Sequence, residues 1–365
     1  MNDPSAAGEL ASRPRPLSAL DADELAALFK SWGEPAFRAT QLLDFYCRKG
    51  VAGYEQVTNL SKALRERLAR EAPLYELELR EKSAGDEATK WLWRAADGAL
   101  LESVQISSPD HNTSCLSSQV GCALGCVFCA TGRSGFERDL RAYEILEQYL
   151  QMWARSNLRT SHVVFMGMGE PLLNYDAVLA AVRRLNAPPP RGLGIAARRI
   201  TISTVGIPQA MRRLATEKLQ LELAVSLHGP DEATRRRLIP AAKRFAIAEI
   251  MDAALEYSGK TRRLVTYEYV LLEGINDSPG QAGDLVGLLQ THPCKVNLIP
   301  FNRVAGCDYR RPARAIQERF RGILEKAGIP ATIRFSKGDK VDAACGQLRR
   351  QAQSKDEGSR MKDES

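Results

Sequence analysis

Three cysteines in one short run are the residues whose types and spacing could do chemistry. Cys122, Cys126 and Cys129 form a C-x3-C-x2-C pattern within the run GCALGCVFCATG. A structural zinc site normally has four protein ligands, and none of the four histidines stands at zinc-motif spacing. A cubane iron–sulfur cluster has four irons, so three thiolates leave one iron open to a small molecule. The pattern favours such a cluster; zinc completed by a distant histidine, or unrelated thiols, are the alternatives.

The same run resembles the signature of radical S-adenosylmethionine (SAM) enzymes, including Phe128 just before the third cysteine. In that superfamily the open iron binds the amino and carboxylate groups of SAM. An electron from the cluster then splits SAM into methionine and a 5′-deoxyadenosyl radical.

Gly169 and Glu170 lie in the run GMGEP, directly after an apolar stretch that predicts a strand. A glycine pair after a strand is by itself only a tight turn. Beside the cysteine run it resembles the Gly-Gly-Glu motif of radical SAM enzymes, which holds the amino group of SAM. Glycine allows a close approach, and a carboxylate accepts a hydrogen bond from an ammonium.

Further polar residues end the next predicted strands. They are Ser203, Ser226 with Leu227 and His228, and Asn302. Each of these residues alone is weak evidence for a binding site, since polar residues commonly end strands. If these strand ends converge on one opening of the fold, called the mouth, their polar residues form a pocket for the ribose, adenine and carboxylate of SAM. The sequence predicts such a pocket.

The elements that must position these residues alternate between strand and helix after Cys115. The predicted strands are His162–Met166, Arg199–Thr204, Glu222–Leu227, Leu264–Leu272 and Lys295–Phe301, preceded by one before Cys122; the predicted helices are Ala142–Ala154, Tyr175–Leu185, Ile247–Tyr257 and Gln281–Leu289. Six such units predict an α/β fold, a partial (β/α)6 barrel with its site at the carboxyl ends of the strands.

The predicted domain organisation has five parts. A disordered lead covers 1–17, and a helical N-terminal domain covers 18–74, with Asp21 and Glu24 as a capping box. Segments near Tyr75–Leu79, Lys90–Trp93 and Leu100–Ile106 predict a small antiparallel sheet within 75–110. The barrel covers 111–348, and a disordered tail covers 349–365.

Composition limits the classes of protein to which this chain can belong. Hydrophobic residues make up 44% of the 365, yet no apolar run is long enough to span a membrane. No export signal is evident, so the eight cysteines predict cytoplasmic thiols or metal ligands. The net charge of +7 is compatible with RNA without being diagnostic of it.

Taken in order, the motifs closely resemble the RlmN/Cfr family of radical SAM RNA adenosine methyltransferases. They are VGCALGCVFCATG, MGMGEPLLN, SLH, VNLIPFN and DAACGQL. The resemblance covers about Asp21 to Leu348. It is specific because the last motif, which contains Cys345, is not general to radical SAM enzymes.

The resemblance gives roles to two further cysteines and one acid. One SAM methylates Cys345, and a second SAM provides the radical that takes a hydrogen from the S-methyl group. The resulting methylene adds to the adenine carbon, and Cys115 attacks the sulfur of Cys345 to form a disulfide and release the RNA. Glu102 occupies the position of the proposed proton acceptor; an ordinary surface strand glutamate is the alternative. Cys47, Cys294 and Cys307 receive no role.

The implied substrate is an adenosine in the peptidyl-transferase region of 23S rRNA, with the adenosine beside the anticodon of some tRNAs as a second target. Phosphate contacts are expected from the basic stretches Arg198-Arg199, Arg235-Arg236-Arg237, Lys243-Arg244 and Arg310-Arg311. The implied reductant is a flavodoxin or ferredoxin, and a cytoplasmic monomer is expected.

The family divides by target carbon. Val120 and Pro171 favour the C2 branch over the C8, antibiotic-resistance branch. Two segments depart from the common pattern, the one at 106–114 and Lys337-Gly338-Asp339-Lys340. They leave open a divergent paralogue with another RNA target. A radical SAM enzyme acting on a small molecule or peptide, or a non-catalytic RNA-binding protein, are the remaining alternatives.

Overall fold

The structure, a computed structural model, describes residues 13–334 and 342–348. The first three α-helices of the described residues are α1 (Ala22–Ser31), α2 (Phe37–Lys49) and α3 (Lys62–Glu71). The predicted capping box is present, since Asp21 accepts a hydrogen bond from the Glu24 amide and Glu24 accepts one from the Asp21 amide. The helical periodicity of this region is therefore confirmed.

Three antiparallel strands follow: β1 (Glu78–Ala84), β2 (Ala88–Arg94) and β3 (Leu100–Ile106). β1 begins three residues after the predicted start at Tyr75. The amides of Glu76 and Leu77 donate to the carboxylate of Glu147 instead of to a neighbouring strand. The Glu147 side chain, which is distant in sequence, thus delays the start of the strand. Local alternation of residue types could not predict this.

The remaining strands lie in the second half of the chain. They are β4 (Thr113–Cys115), β5 (Gln119–Gly121), β6 (Phe136–Asp139), β7 (His162–Phe165), β8 (Ile200–Thr204), β9 (Glu222–Ser226), β10 (Val265–Leu271), β11 (Cys294–Pro300) and β12 (Ala331–Ile333). The helices are α4 (Ala130–Arg133), α5 (Ala142–Ser156), α6 (Tyr175–Asn186), α7 (Pro208–Leu214), α8 (Glu232–Leu238), α9 (Ile247–Thr261), α10 (Pro279–Leu289) and α11 (Arg314–Lys326).

The parallel barrel sheet has the order β4-β7-β8-β9-β10-β11-β12. The predicted fold class is confirmed, and none of the five predicted strand ranges misses an end by more than one residue. β12 was not predicted, because three residues are too few for a periodicity signal.

The antiparallel strands belong to the same sheet as the barrel. β3 pairs with β4, so ten strands from β1 to β12 form one continuous sheet, while β5 and β6 form a separate pair. In the β3–β4 pair Val104 lies opposite Cys115. This register carries the barrel's inner face onto β3 and β2.

Some predictions fall outside the described residues. These are the lead as far as residue 12, the tail 349–365 and the departure Lys337-Gly338-Asp339-Lys340. Leu17, the last residue of the predicted lead, is buried and donates its amide to the carbonyl of Pro73. Among the described helices, none combines the length and apolarity needed to cross a membrane.

Candidate active site

The loop between β5 and α4 carries the three clustered cysteines. Its backbone is held from two sides, since the amide of Cys122 donates to the carbonyl of Gly135 and that of Val127 donates to Leu238. Gly121 has a φ of +77°, and a Cβ there would collide with the Gly135 carbonyl. The glycine before Cys122 is therefore required by the close approach of two backbone segments.

These three thiols suit a cluster better than a single ion. All are free, and burial raises the pKa of each, that of Cys122 to about 12. Among the residues that the structure describes, no three Cys, His, Asp or Glu side chains converge on one metal position. A zinc ion requires such convergence. In a cubane cluster each cysteine would bind a different iron, so the three sulfurs would surround one cluster without meeting at a single ion, and metal binding would displace their protons.

Gly169 and Glu170 form a tight turn after β7, packed on Gln119. Gly169 has a φ of +100°, and a Cβ there would lie 2.5 Å from the Cβ of Gln119. The Glu170 amide donates to Oε1 of Gln119 at 2.8 Å. The Glu170 carboxylate accepts backbone amides from Leu172 at 3.0 Å and Val205 at 2.8 Å, and burial raises its pKa to about 7. Glu170 thus joins the loops after β7 and β8, and its remaining lone pairs are what it could offer to a ligand.

The other predicted strand-end residues lie at the same edge of the sheet. Ser203 and Ser226 lie at or next to the ends of β8 and β9, and buried Leu227 and His228 follow β9. Nδ1 of His228 accepts the amide of Val270 at 3.0 Å, so the ring proton is on Nε2. Burial lowers the pKa of His228 to about 3, and its ring meets that of Phe128 edge-on, with centroids 4.9 Å apart. A neutral imidazole therefore lies against the cysteine loop.

The segment that carries Cys345 is docked onto the cysteine loop. Ala130 donates its amide to the Gly346 carbonyl at 2.7 Å, and Thr131 donates its hydroxyl to the Leu348 carbonyl at 2.7 Å. Asn302, which follows β11, donates to the carbonyl of Cys345 at 3.1 Å. Asn302 in turn accepts a hydrogen bond from Arg311 at 3.0 Å. Residues more than 200 apart in the chain are thus fixed at one mouth.

Cys115 and Cys345 lie close enough to influence each other's environment. Burial raises the pKa of the Cys115 thiol to about 12, and the charge of Cys345 raises it further. Desolvation by the surrounding protein also raises the pKa of the Cys345 thiol, although the residue as a whole is exposed at the mouth. The positive charge of Arg334 opposes both increases in pKa. Both residues are free thiols, and no disulfide joins them.

Glu102 is not a surface residue. It is 1% exposed, and its Oε1 lies 3.2 Å from Nζ of Lys90. It is two residues from Val104 on β3, so its side chain is on the same face as that of Cys115, which lies opposite Val104. The alternative of an ordinary exposed glutamate is therefore wrong.

The prediction that Arg235 contacts RNA is wrong. Arg235 is fully buried and donates to the carbonyl of Val205, and burial lowers its pKa to about 10. It cannot reach a phosphate. Arg236 and Arg237 are exposed, as are the other predicted basic residues: Arg198, Arg199, Lys243, Arg244, Arg310 and Arg311.

Sequence reasoning also missed Lys90, Gln119 and Arg334. Lys90 had a detectable signal, because in the alternating run TKWLW it takes the face opposite to the two tryptophans. Gln119 and Arg334 had no signal, since their relation to the site depends on tertiary contacts.

Comparisons with known proteins agree with this geometry. The model of the Radical SAM superfamily matches residues 116–285. The model of the ribosomal RNA large subunit methyltransferase N-terminal domain matches residues 16–74.

Relatives extend over nearly the whole chain. A probable dual-specificity RNA methyltransferase RlmN 2 from Protochlamydia amoebophila is 45% identical, covering 90% of this chain and 92% of its own. A probable dual-specificity RNA methyltransferase RlmN from Symbiobacterium thermophilum is 46% identical, covering 93% of both chains. The crystal structure of a radical SAM methyltransferase from Sphaerobacter thermophilus is similar with a TM-score of 0.88 and 41% identity, covering 92% of this chain and 99% of that one.

Proposed function

Because this chain belongs to the RlmN family of radical SAM RNA methyltransferases, we propose that it methylates C2 of an adenosine in the peptidyl-transferase region of 23S rRNA. The family uses a [4Fe–4S] cluster and SAM, which together supply the 5′-deoxyadenosyl radical when bound. In this proposal Cys122, Cys126 and Cys129 hold the cluster. SAM lies among Gly169, Glu170, Ser203, Ser226, Leu227, His228 and Asn302.

The docking of the Cys345 segment onto the loop of the three clustered cysteines is the observation that carries the proposal. Cys345 is exposed at the mouth, where it can receive a methyl group and later meet a base. Asn302 fixes its backbone, and Arg334 contributes a positive charge that favours its thiolate. A thiol used only for packing would not require this exposure. The arrangement therefore supports Cys345 as the carrier of the methyl group, with two SAM consumed per turnover.

Cys115 then releases the product. Its sulfur attacks the sulfur of Cys345, a disulfide forms, and the carbon–sulfur bond to the transferred carbon breaks. The electron pair of that bond stays with the carbon, which takes a proton to complete the methyl group. A thiol reductant restores both cysteines. Glu102, on the same inner face, accepts the proton that leaves C2.

The substrate must present an unstacked adenine to this mouth, since the edge of a stacked base is inaccessible. The relatives' name, dual-specificity RNA methyltransferase, supports two RNA classes, and we include tRNA as the second. Exposed Arg237, Lys243 and Arg244 follow β9 and offer phosphate contacts near the mouth. The enzyme would act in the cytoplasm as a monomer, with a flavodoxin or ferredoxin as electron donor.

The test is an anaerobic reaction of the reconstituted enzyme with methyl-labelled SAM and either 23S rRNA or tRNA. Parent enzyme is compared with Cys345→Ala and with Cys294→Ala. Cys294 begins β11, at the opposite end of the strands from the mouth. We expect labelled 2-methyladenosine with the parent and the control, and none with Cys345→Ala.

Two results would overturn the proposal. Labelled 8-methyladenosine would identify a C8 enzyme. No labelled adenosine in either RNA, despite SAM cleavage by an intact cluster, would indicate a different substrate.

A further inference from the structure

We propose that Lys90 is a positioning residue that keeps the Glu102 carboxylate ionised and aimed at the mouth. This inference rests on the proposed function, in which Glu102 accepts the proton from C2. Lys90 would act only through Glu102 and would not touch the RNA.

The contact is a buried ion pair. Nζ of Lys90 lies 3.2 Å from Oε1 of Glu102, and the two side chains are 7% and 1% exposed. A carboxyl group buried without a positive partner favours its neutral form. A neutral carboxylic acid cannot accept a proton on the oxygen that already carries one. The ammonium of Lys90 therefore favours the ionised carboxylate that a buried general base requires.

Strand register places the pair on the catalytic face. Lys90 lies opposite Val104 on β3, and Val104 lies opposite Cys115 on β4. Directly opposed residues in a sheet share a face, so Lys90 and Cys115 share one. Glu102 is two residues from Val104 and has the same orientation. The pair is thus an extension of the barrel interior across β3 and β2.

The packing of β2 and β3 fixes the face of the sheet on which the Lys90 side chain lies. Its neighbours Trp91 and Trp93 are fully buried on the opposite face, stacked with centroids 5.7 Å apart. The backbone of Glu102 is also held, since its amide donates to Sδ of Met168 at 3.3 Å and its carbonyl accepts the Ser117 hydroxyl. With both strands fixed, the ion pair with Lys90 is a contact that orients the Glu102 side chain.

A route for the proton leads away from the mouth. A cavity of about 10 Å³, near the volume that one water requires, is lined by Glu81, Ser83, Lys90, Leu92 and Glu102. Ser83 donates to Glu81 at 2.9 Å, and Glu81 is exposed. In the step proposed here the C2–H bond breaks, its electron pair stays with the adenine ring, and its proton forms an O–H bond with Glu102. The unpaired electron that radical addition leaves on the ring would return to the oxidised [4Fe–4S] cluster held by the three clustered cysteines. The proton then leaves through this cavity to solvent.

The experiment compares Lys90→Met, Lys90→Arg and Lys82→Met under single-turnover anaerobic conditions. Lys82 is a matched control in the same hairpin, because its Nζ lies over the Trp91 ring on the opposite face. Three quantities are measured with 23S rRNA: 5′-deoxyadenosine, the covalent adduct between Cys345 and RNA, and 2-methyladenosine. The adduct is resolved as a shifted protein band that ribonuclease trims.

We expect Lys90→Met to cleave SAM and form the adduct at near parent levels, while release of 2-methyladenosine falls about 100-fold or more, within the range of a lost general base. Lys90→Arg should recover much of this loss, and Lys82→Met should match the parent. Parent-like release by Lys90→Met would overturn the proposal. So would an equal fall in all three quantities, which indicates a structural role alone.

A double variant covers the case in which Lys90→Met does not fold. Lys90→Met with Glu102→Gln removes both buried charges, which is commonly tolerated better than removing one. If Lys90 acts through Glu102, the double variant and Glu102→Gln alone should resolve the adduct equally slowly. A further tenfold loss in the double variant would contradict the proposal. If the parent forms neither adduct nor product, the proposed function itself fails, and that result is distinct from all of these.

Discussion

The carboxylate of Glu147 on α5 accepts a hydrogen bond of 2.7 Å from the backbone amide of Leu77, which precedes β1. It also accepts the amide of Glu76 and the hydroxyl of Ser18, and it is fully buried. One acid of the barrel thus joins the start of the chain, the segment after α3 and the first barrel helix.

This junction predicts a pH-dependent stability. Burial raises the pKa of Glu147 to about 8, above the ordinary value for Glu. Between about pH 4.5 and 8 the unfolded chain releases this proton while the folded protein retains it, so the free energy of unfolding falls as pH rises. The contribution is at most about 1.4 kcal/mol per pH unit.

Glu147→Gln tests this dependence. We expect the variant to be less stable than the parent at pH 5, because its amide group meets backbone donors, and the deficit to shrink toward pH 8. Urea unfolding at several pH values measures it, with exposed Glu66→Gln as control. A deficit that stays constant with pH would contradict the prediction.

Gly169→Ala should abolish SAM binding and destabilise the protein by about 1–3 kcal/mol. The added Cβ would lie 2.5 Å from that of Gln119, at a φ of +100° that alanine adopts only with strain. Gly283→Ala is the matched control, since it lies in α10 where a Cβ meets nothing within 4 Å. There alanine should raise stability by about 0.5–1 kcal/mol. Calorimetry of SAM binding and thermal unfolding give both results; unchanged SAM affinity in Gly169→Ala would refute the prediction.

Arg235 and Arg237 should differ although they are two residues apart. Arg235→Ala removes a buried side chain and its hydrogen bond to Val205, so we expect a loss of about 2–4 kcal/mol in stability. Arg237→Ala should leave stability unchanged, weaken RNA binding and reduce the salt dependence by about one phosphate contact. Denaturant unfolding and binding titrations at several salt concentrations separate the two. Equal effects on stability would show that the buried and exposed positions are not distinct.

Asn302→Ala should slow methylation of Cys345 by about 10–100-fold, because the Cys345 carbonyl loses its 3.1 Å donor and Arg311 loses its acceptor. Mass spectrometry of the Cys345 peptide after incubation with labelled SAM measures the rate. Asn186→Ala, which removes a hydrogen bond to Ile195 outside the mouth, should behave as the parent. A parent-like rate in Asn302→Ala would mean that this tether does not position the cysteine.

Linear spacing was sufficient for several features. The C-x3-C-x2-C run, the GMGEP turn and the strands that precede the polar residues depend on residues adjacent in the chain. For this reason the five barrel strands from β7 to β11 were predicted to within one residue at each end. The order of strand-end motifs likewise indicated one mouth, because parallel strands place their carboxyl ends together.

Only the tertiary structure decided which of these residues are accessible, paired or fixed. Arg235 looked like its neighbours but is buried, and for Glu102 the burial and the pairing with Lys90 exclude the alternative of a surface acid. The start of β1 was displaced by Glu147, some 70 positions away. Burial, charge pairing and hydrogen bonding arise from contacts between distant segments, which local composition does not encode. The residue types that perform the chemistry can therefore be identified from the sequence. Their protonation and orientation depend on the folded sheet.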